Sequence, residues 1–148
     1  MSAIVDFLEG TGPDGAGRRL NEVLRFGLSA LENRHDFIQW LFATMEPSGA
    51  VPGSPVLDAQ DIAAIKASTR AQACLIAAQD KMAWFYDQTD HWMQPQNHNH
   101  LRITRIIKSL RLLVSDLAAD HFRNMILARV EHHQAAIGET TLRFWREA

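Results

Sequence analysis

The segment His98-Asn99-His100-Leu101-Arg102-Ile103-Thr104-Arg105-Ile106-Ile107-Lys108-Ser109-Leu110-Arg111-Leu112-Leu113 constrains the fold more than any other stretch of this chain. Ile103, Ile106, Ile107, Leu110, Leu113 and Val114 recur with the period of an α-helix and describe one core-facing stripe over 99–114. Leu101 and Leu112 fall nearly opposite that stripe, on either side of Arg105. The helix is therefore expected to meet apolar neighbours on two sides, with a guanidinium held between them. A buried unpaired charge is costly, so Arg105 needs a partner, and Asp36 is the expected one. Arg102, Arg105 and Ser109 make a second, polar stripe; Thr104, Lys108 and Arg111 make a third that faces water.

The rest of the chain reads as helix and loop. No alternating run of β-branched residues bounded by tight turns occurs. A short helix is expected over 3–9, stopped at Gly10, and another over 18–26, stopped at Gly27. A third is expected over 29–44, with Ser29 as N-cap and Glu32 placed for a capping box. Its stripe Leu31, His35, Ile38, Phe42 and Met45 is widened by Phe37, Trp40 and Leu41, which puts this helix in the middle of the domain. Residues 46–57 hold Pro47, Gly49, Pro52, Gly53 and Pro55 and read as a loop. Asp58 caps a helical region reaching Tyr86, with a possible break at Ser68-Thr69. A polar connection over 87–97, the helix over 99–114, a long helix from Ser115 or Asp116 that ends before Gly138, and a terminal turn over 139–146 complete the chain. The expected fold is all-α: a single compact bundle of about six or seven helices, one domain over 1–148.

Composition narrows the function classes. A net charge of −2 excludes a global basic field that would draw the protein to nucleic acid or an anionic membrane. Cys74 is the single cysteine, so an intrachain disulfide and cysteine-rich zinc sites are excluded, and its apolar helical setting reads as a buried, inert thiol. No apolar run approaches the ~20 residues needed to span a bilayer. The segment 1–9 has acids in its apolar part and no basic start, so it is not read as a signal peptide, and a cytoplasmic location is expected.

The candidate site is a polar cluster between the third helix and the helix over 99–114: His35, Asp36, Gln39, His98, Asn99, Arg102 and Arg105, with Trp92 at its edge. One reading makes the cluster an interhelical network that fixes packing. The other makes it a groove for a ligand, in which Arg102, Arg105 and Lys108 hold a phosphate or carboxylate near a helix N-terminus that favours anions. Trp40, Trp84, Trp92 and Trp145 read as core anchors, with Trp92, beside Met93 in a polar loop, also suited to line a groove. Seven histidines invite a metal reading, for which His35, His98 and His100 are the candidates, but no His-Glu-x-x-His pattern occurs and neither a metal nor a cofactor is expected. No Gly-x-Ser-x-Gly elbow occurs, and no catalytic residue is assigned. Nucleic acid is a weaker rival, resting on the basic stripe alone.

Two long motifs in register also carry a resemblance. They are Leu31-Glu32 with His35-Asp36-Phe37-Ile38-Gln39-Trp40-Leu41-Phe42, and Asn97-His98-Asn99 with Leu101 to Leu113. Phe7-Leu8-Glu9-Gly10, Pro13-Asp14-Gly15 with Gly17-Arg18, Glu46-Pro47-Ser48, Pro55-Val56-Leu57, Tyr86 and Trp92 match in order between them and before them. Over about residues 4–127 the chain resembles the conserved N-terminal domain of the opioid growth factor receptor family. Ala43 replaces a usual Pro, and Val114-Ser115 replaces a usual Gly-containing turn. The resemblance implies a binding domain. Animal members resemble receptors for the opioid peptide methionine-enkephalin, linked to growth control at the nucleus, and carry long C-terminal regions; this chain is similar to a compact, stand-alone bacterial form. It implies no catalytic residues. The expected function is a non-enzymatic binding module whose partner is a small peptide, an anionic ligand, a protein or a second copy of the chain. The alternatives are a small metal- or acid–base-dependent enzyme, and a phosphate- or nucleic-acid-binding module using the basic helix.

Overall fold

Four helix starts follow from one local device, a side-chain oxygen that accepts from the backbone N–H three residues on. Ser2 does this for Val5, Asp58 for Asp61 at 2.8 Å, Ser68 for Ala71 at 3.1 Å and Ser115 for Ala118 at 3.0 Å. The computed structural model describes residues 2–148. Among these the chain forms nine helices and no strand: α1 (Ala3–Leu8), α2 (Leu20–Val23), α3 (Leu28–Asn33), α4 (Ile38–Leu41), α5 (Ala59–Ala67), α6 (Thr69–Gln88), α7 (Asn99–Leu113), α8 (Asp116–His132) and α9 (Glu139–Glu147). The all-α expectation holds. The number of helices is larger than expected because two long segments are each divided.

The division at Ser68 is legible locally. Its hydroxyl caps α6 and donates to Glu9 Oε2 at 2.8 Å, so one residue ends α5 and starts α6. The division of 29–44 is a correction. Gly27, not Ser29, is the N-cap of α3, and Arg34 leaves the helix in an extended conformation. A second short helix then forms, and Phe42 ends it, so Ala43 does not prolong it. Glu32 makes no capping box; it turns towards His91, His98 and Asn99 instead. Leu57 N–H donates to Thr44 O at 2.9 Å, which ties the end of this segment to the far end of the 46–57 loop.

The middle of the molecule is α7, not the third helix. It packs along α8 and also meets α5, α6 and α9, while α1 packs against α4, α5 and α6. Its stripe Ile103, Ile106, Ile107, Leu110 and Leu113 is fully buried, as the periodicity predicts. The opposite face is corrected in part: Leu101 is 75% exposed, whereas Leu112 is partly buried and packs against the core. Among the tryptophans, Trp92 and Trp145 are buried, Trp40 is half-buried edge-on to Phe7, and Trp84 is exposed beneath Lys81. Cys74 is half-buried, and burial pushes its thiol pKa up. No helix among the described residues is long and apolar enough to cross a membrane.

His100 joins three parts of this frame. Its Nε2–H donates to Trp92 O at 2.8 Å, its own carbonyl accepts from Trp145 Nε1 at 3.1 Å, and its ring meets that indole edge-on. Burial lowers its pKa, opposed by the bond to Trp92 O. The unfolded chain binds the proton more readily, so the contribution to stability is complete above ~6.5 and is lost as pH falls through that value towards the depressed folded pKa. The urea midpoint is expected to be lower at about pH 5 than at about pH 7.5, with a smaller difference in His100→Gln. An identical pH dependence in that variant refutes the assignment.

Candidate functional site

Leaving the helix at Arg34 and again at Phe42 strands backbone carbonyls that no neighbouring N–H within the segment can reach. The polar stripe of α7 meets them in order. Arg102 donates from Nη1 to Leu31 O at 2.7 Å and from Nη2 to Arg34 O at 2.6 Å. Arg105 Nη1 donates to Phe42 O at 3.1 Å, and Ser109 Oγ to Ala43 O at 2.8 Å. A cation at a helix C-terminus is also favoured by the helix dipole. The Arg102 guanidinium lies over the Phe37 ring, 5.5 Å from its centroid, and meets His35 Nδ1 at 3.3 Å. Burial lowers its pKa; the neighbouring Tyr86 and Glu32 oppose that shift.

Beside Arg102 lies a second knot of polar groups. Both Glu32 oxygens accept from Asn99 Nδ2 at 3.3 Å, and the same carboxylate meets Nε2 of His91 and of His98. Asn99 Oδ1 accepts from Tyr86 Oη–H at 3.1 Å. Tyr86 is fully buried, and burial raises its pKa. Asp36 is a correction. It pairs with Arg18 at 2.9 Å, not with Arg105, because the break at Arg34 turns it away from α7. Arg18 is held in turn by the buried Asp14 at 2.8 Å.

Between α7, α4 and the 46–50 loop lies a half-open cavity of about 410 Å3. That volume suits a small ligand. Of the residues singled out from sequence, His35, Gln39, His98, Arg102 and Arg105 line it. Asp36, Asn99 and Trp92 do not: Asp36 serves Arg18, Asn99 serves Glu32 and Tyr86, and Trp92 is core, its indole N–H donating to Thr89 O at 2.9 Å. In this wall one buried acceptor is unsatisfied and one cation is unpaired among the described residues. Gln39 is 8% exposed and its Oε1 has no hydrogen-bond partner. Arg105 is half-buried and has no carboxylate within ion-pair distance; burial lowers its pKa, and Glu46 opposes that shift. Lys108, one turn on, lies 3.9 Å from Glu46.

Sequence reasoning missed the loop wall, Glu46, Pro47, Ser48, Gly49 and Ala50. Its proline and glycine content marked a loop, and loops held by a rigid scaffold commonly carry binding residues; that was the available signal. Glu32 as the hub of the histidine knot was missed as well. A second, shallower recess of about 190 Å3 shares Leu101 and Thr104 with the cavity and continues past them to Pro95 and Phe144. The three metal candidates do not converge. His35 and His98 have ring centroids 5.3 Å apart, but His100 points into the core, and no group of three His, Cys, Asp or Glu among the described residues is placed to hold a metal.

Comparison with known proteins gives a consistent picture. Residues 20–91 match the opioid growth factor receptor (OGFr) conserved region. Proteins named opioid growth factor receptor from Rattus norvegicus, Mus musculus and Homo sapiens are similar to this chain. The rat protein is 31% identical over 111 residues, covering 63% of this chain and 18% of the relative. The mouse protein is 32% identical over 111 residues, covering 63% and 17%, and the human protein 32% over 114 residues, covering 63% and 16%. The chain thus spans less than a fifth of the length of these relatives. No solved structure matches it.

Proposed function

The chain belongs to the opioid growth factor receptor conserved-region family, and on that premise we propose that it is a ligand-binding module whose site is the cavity between α7, α4 and the 46–50 loop. One observation carries the reading. A cavity of small-ligand size brings together His35, Gln39, His98, Arg102 and Arg105, and the Gln39 amide in its wall has no hydrogen-bond partner at Oε1. A buried acceptor with no donor costs free energy, and a turn of the Gln39 side chain towards a ligand's N–H or O–H recovers that cost on binding. The groups on the wall are hydrogen-bonding and cationic, which suits recognition. The relatives are named as receptors, and their name comes to this chain as ligand binding by the shared region. A short peptide fits the same site, with one end in the cavity and an apolar end over Leu101 in the adjoining recess.

Native mass spectrometry of freshly purified protein is the direct test of a retained ligand. It is paired with a ligand-observed NMR screen, including methionine-enkephalin among the probes, against the wild type and Ala50→Trp. Ala50 is exposed in the loop wall, so an indole there fills the cavity without disturbing the core. Probes that bind the wild type are expected to lose at least about tenfold in affinity, ~1.4 kcal/mol, in Ala50→Trp. Equal binding to both proteins moves the site elsewhere.

A further inference from the structure

We propose that this cavity takes a small organic anion, carboxylate or phosphoryl, that carries an N–H or O–H donor beside its charge, and that Glu46 holds the anion's place in the empty protein. The inference rests on reading the cavity as the binding site. Its first support is Arg105. A half-buried guanidinium normally has a carboxylate, yet this one makes a single hydrogen bond among the described residues, to Phe42 O, and has no acid within ion-pair distance. Arg102 does not share that need, because Leu31 O, Arg34 O and His35 Nδ1 take up both of its terminal nitrogens. Arg105 and Lys108 lie three residues apart on α7 and face the same cavity, so they form a fork suited to one anionic group.

Glu46 is the acid nearest that fork. It approaches Lys108 to only 3.9 Å, its side chain is 76% exposed, and it sits on the loop that walls the cavity. An exposed pair of this kind is weak, so a better-placed anion displaces it. Gln39 Oε1 supplies the second requirement. As an acceptor it gains nothing from an anion's oxygens; it is shut off from solvent in the wall, so a turn of the side chain has to bring it to a donor on the ligand. A cavity of about 410 Å3 admits the charge, the donor and a small apolar body against Ile38.

The test is an NMR titration of 15N-labelled protein with four matched probes. Hippurate carries a carboxylate and an amide N–H; benzamidomethylphosphonate carries a phosphoryl group and the same N–H; hippuramide lacks the charge; N-benzoylsarcosine lacks the donor. Shifts at Gln39, Glu46 and Lys108 are expected with one or both of the first two, and the tighter of them identifies the anion. Hippuramide and N-benzoylsarcosine are expected to bind at least about tenfold more weakly. Glu46→Gln is expected to tighten the anion roughly threefold, and Arg105→Met to weaken it at least about tenfold. Equal binding of hippurate and hippuramide, or an unchanged affinity in Arg105→Met, overturns the anion inference while the cavity stands as a binding site. No anion binding to either the wild type or Glu46→Gln also overturns it. Anion binding that is unaffected by Ala50→Trp overturns the cavity reading itself.

Discussion

Trp92→Ala is expected to lower the unfolding free energy by about 4 kcal/mol, in the range for emptying a fully buried indole site. The residue sits in the polar 87–97 connection, where a solvent-facing aromatic would cost nothing to remove, yet it is fully buried. Three contacts hold it there. Its Nε1–H donates to Thr89 O at 2.9 Å, its carbonyl accepts from His100 Nε2 at 2.8 Å, and its ring meets Tyr86 edge-on with centroids 5.3 Å apart. Truncation opens a void under Tyr86 and loosens the connection that presents His91 and His98 to Glu32. Urea unfolding monitored by circular dichroism measures the loss, and a cost under about 1 kcal/mol would return Trp92 to the groove-lining role open to it in the sequence. Trp92→Phe keeps most of the ring, so it should cost less and leave cavity binding unchanged.

Arg102→Ala is expected to cost about 3 kcal/mol, on the order of 10 °C in Tm for a chain of this size. The side chain is 7% exposed, and its loss leaves Leu31 O and Arg34 O without donors. An ammonium cannot reach both carbonyls in a fixed fork, so Arg102→Lys should recover less than half of the loss. Hydrogen exchange adds a structural readout: the amides of α3 should lose protection in Arg102→Ala before those of α8. If stability is retained while ligand affinity collapses, Arg102 is a ligand group and the carbonyl contacts are incidental.

These two residues also mark where sequence reasoning stops. The polar stripe Arg102, Arg105 and Ser109 was legible from helical period, and so was its role between α7 and the 29–44 segment. Its targets were not. The run from Ser29 to Thr44 reads as one helix because its apolar residues keep helical period with no Gly or Pro between them, and period is a local quantity. The breaks at Arg34 and Phe42 are stabilised by donors arriving from residues more than sixty positions away. The break at Arg34 moved Asp36 to Arg18 and left Arg105 without an acid. Five of the eight expected site residues still meet at the cavity, because all five lie on segments facing each other across that break.

What the sequence determined by itself is what acts within a few residues along the chain. The all-α class, the buried stripe of α7 and the starts of α5, α6 and α8 at Asp58, Ser68 and Ser115 all follow from side-chain period and from hydroxyl or carboxylate groups three residues before the N–H they accept from. What only the tertiary structure decided is the choice among polar partners. Several acids and carbonyls suit each arginine chemically, and a hydrogen bond forms over about 3 Å. The folded path of the 34–50 segment therefore settles which group each side chain of α7 reaches, and leaves Arg105 without a carboxylate and Gln39 Oε1 without a donor in the wall of the cavity.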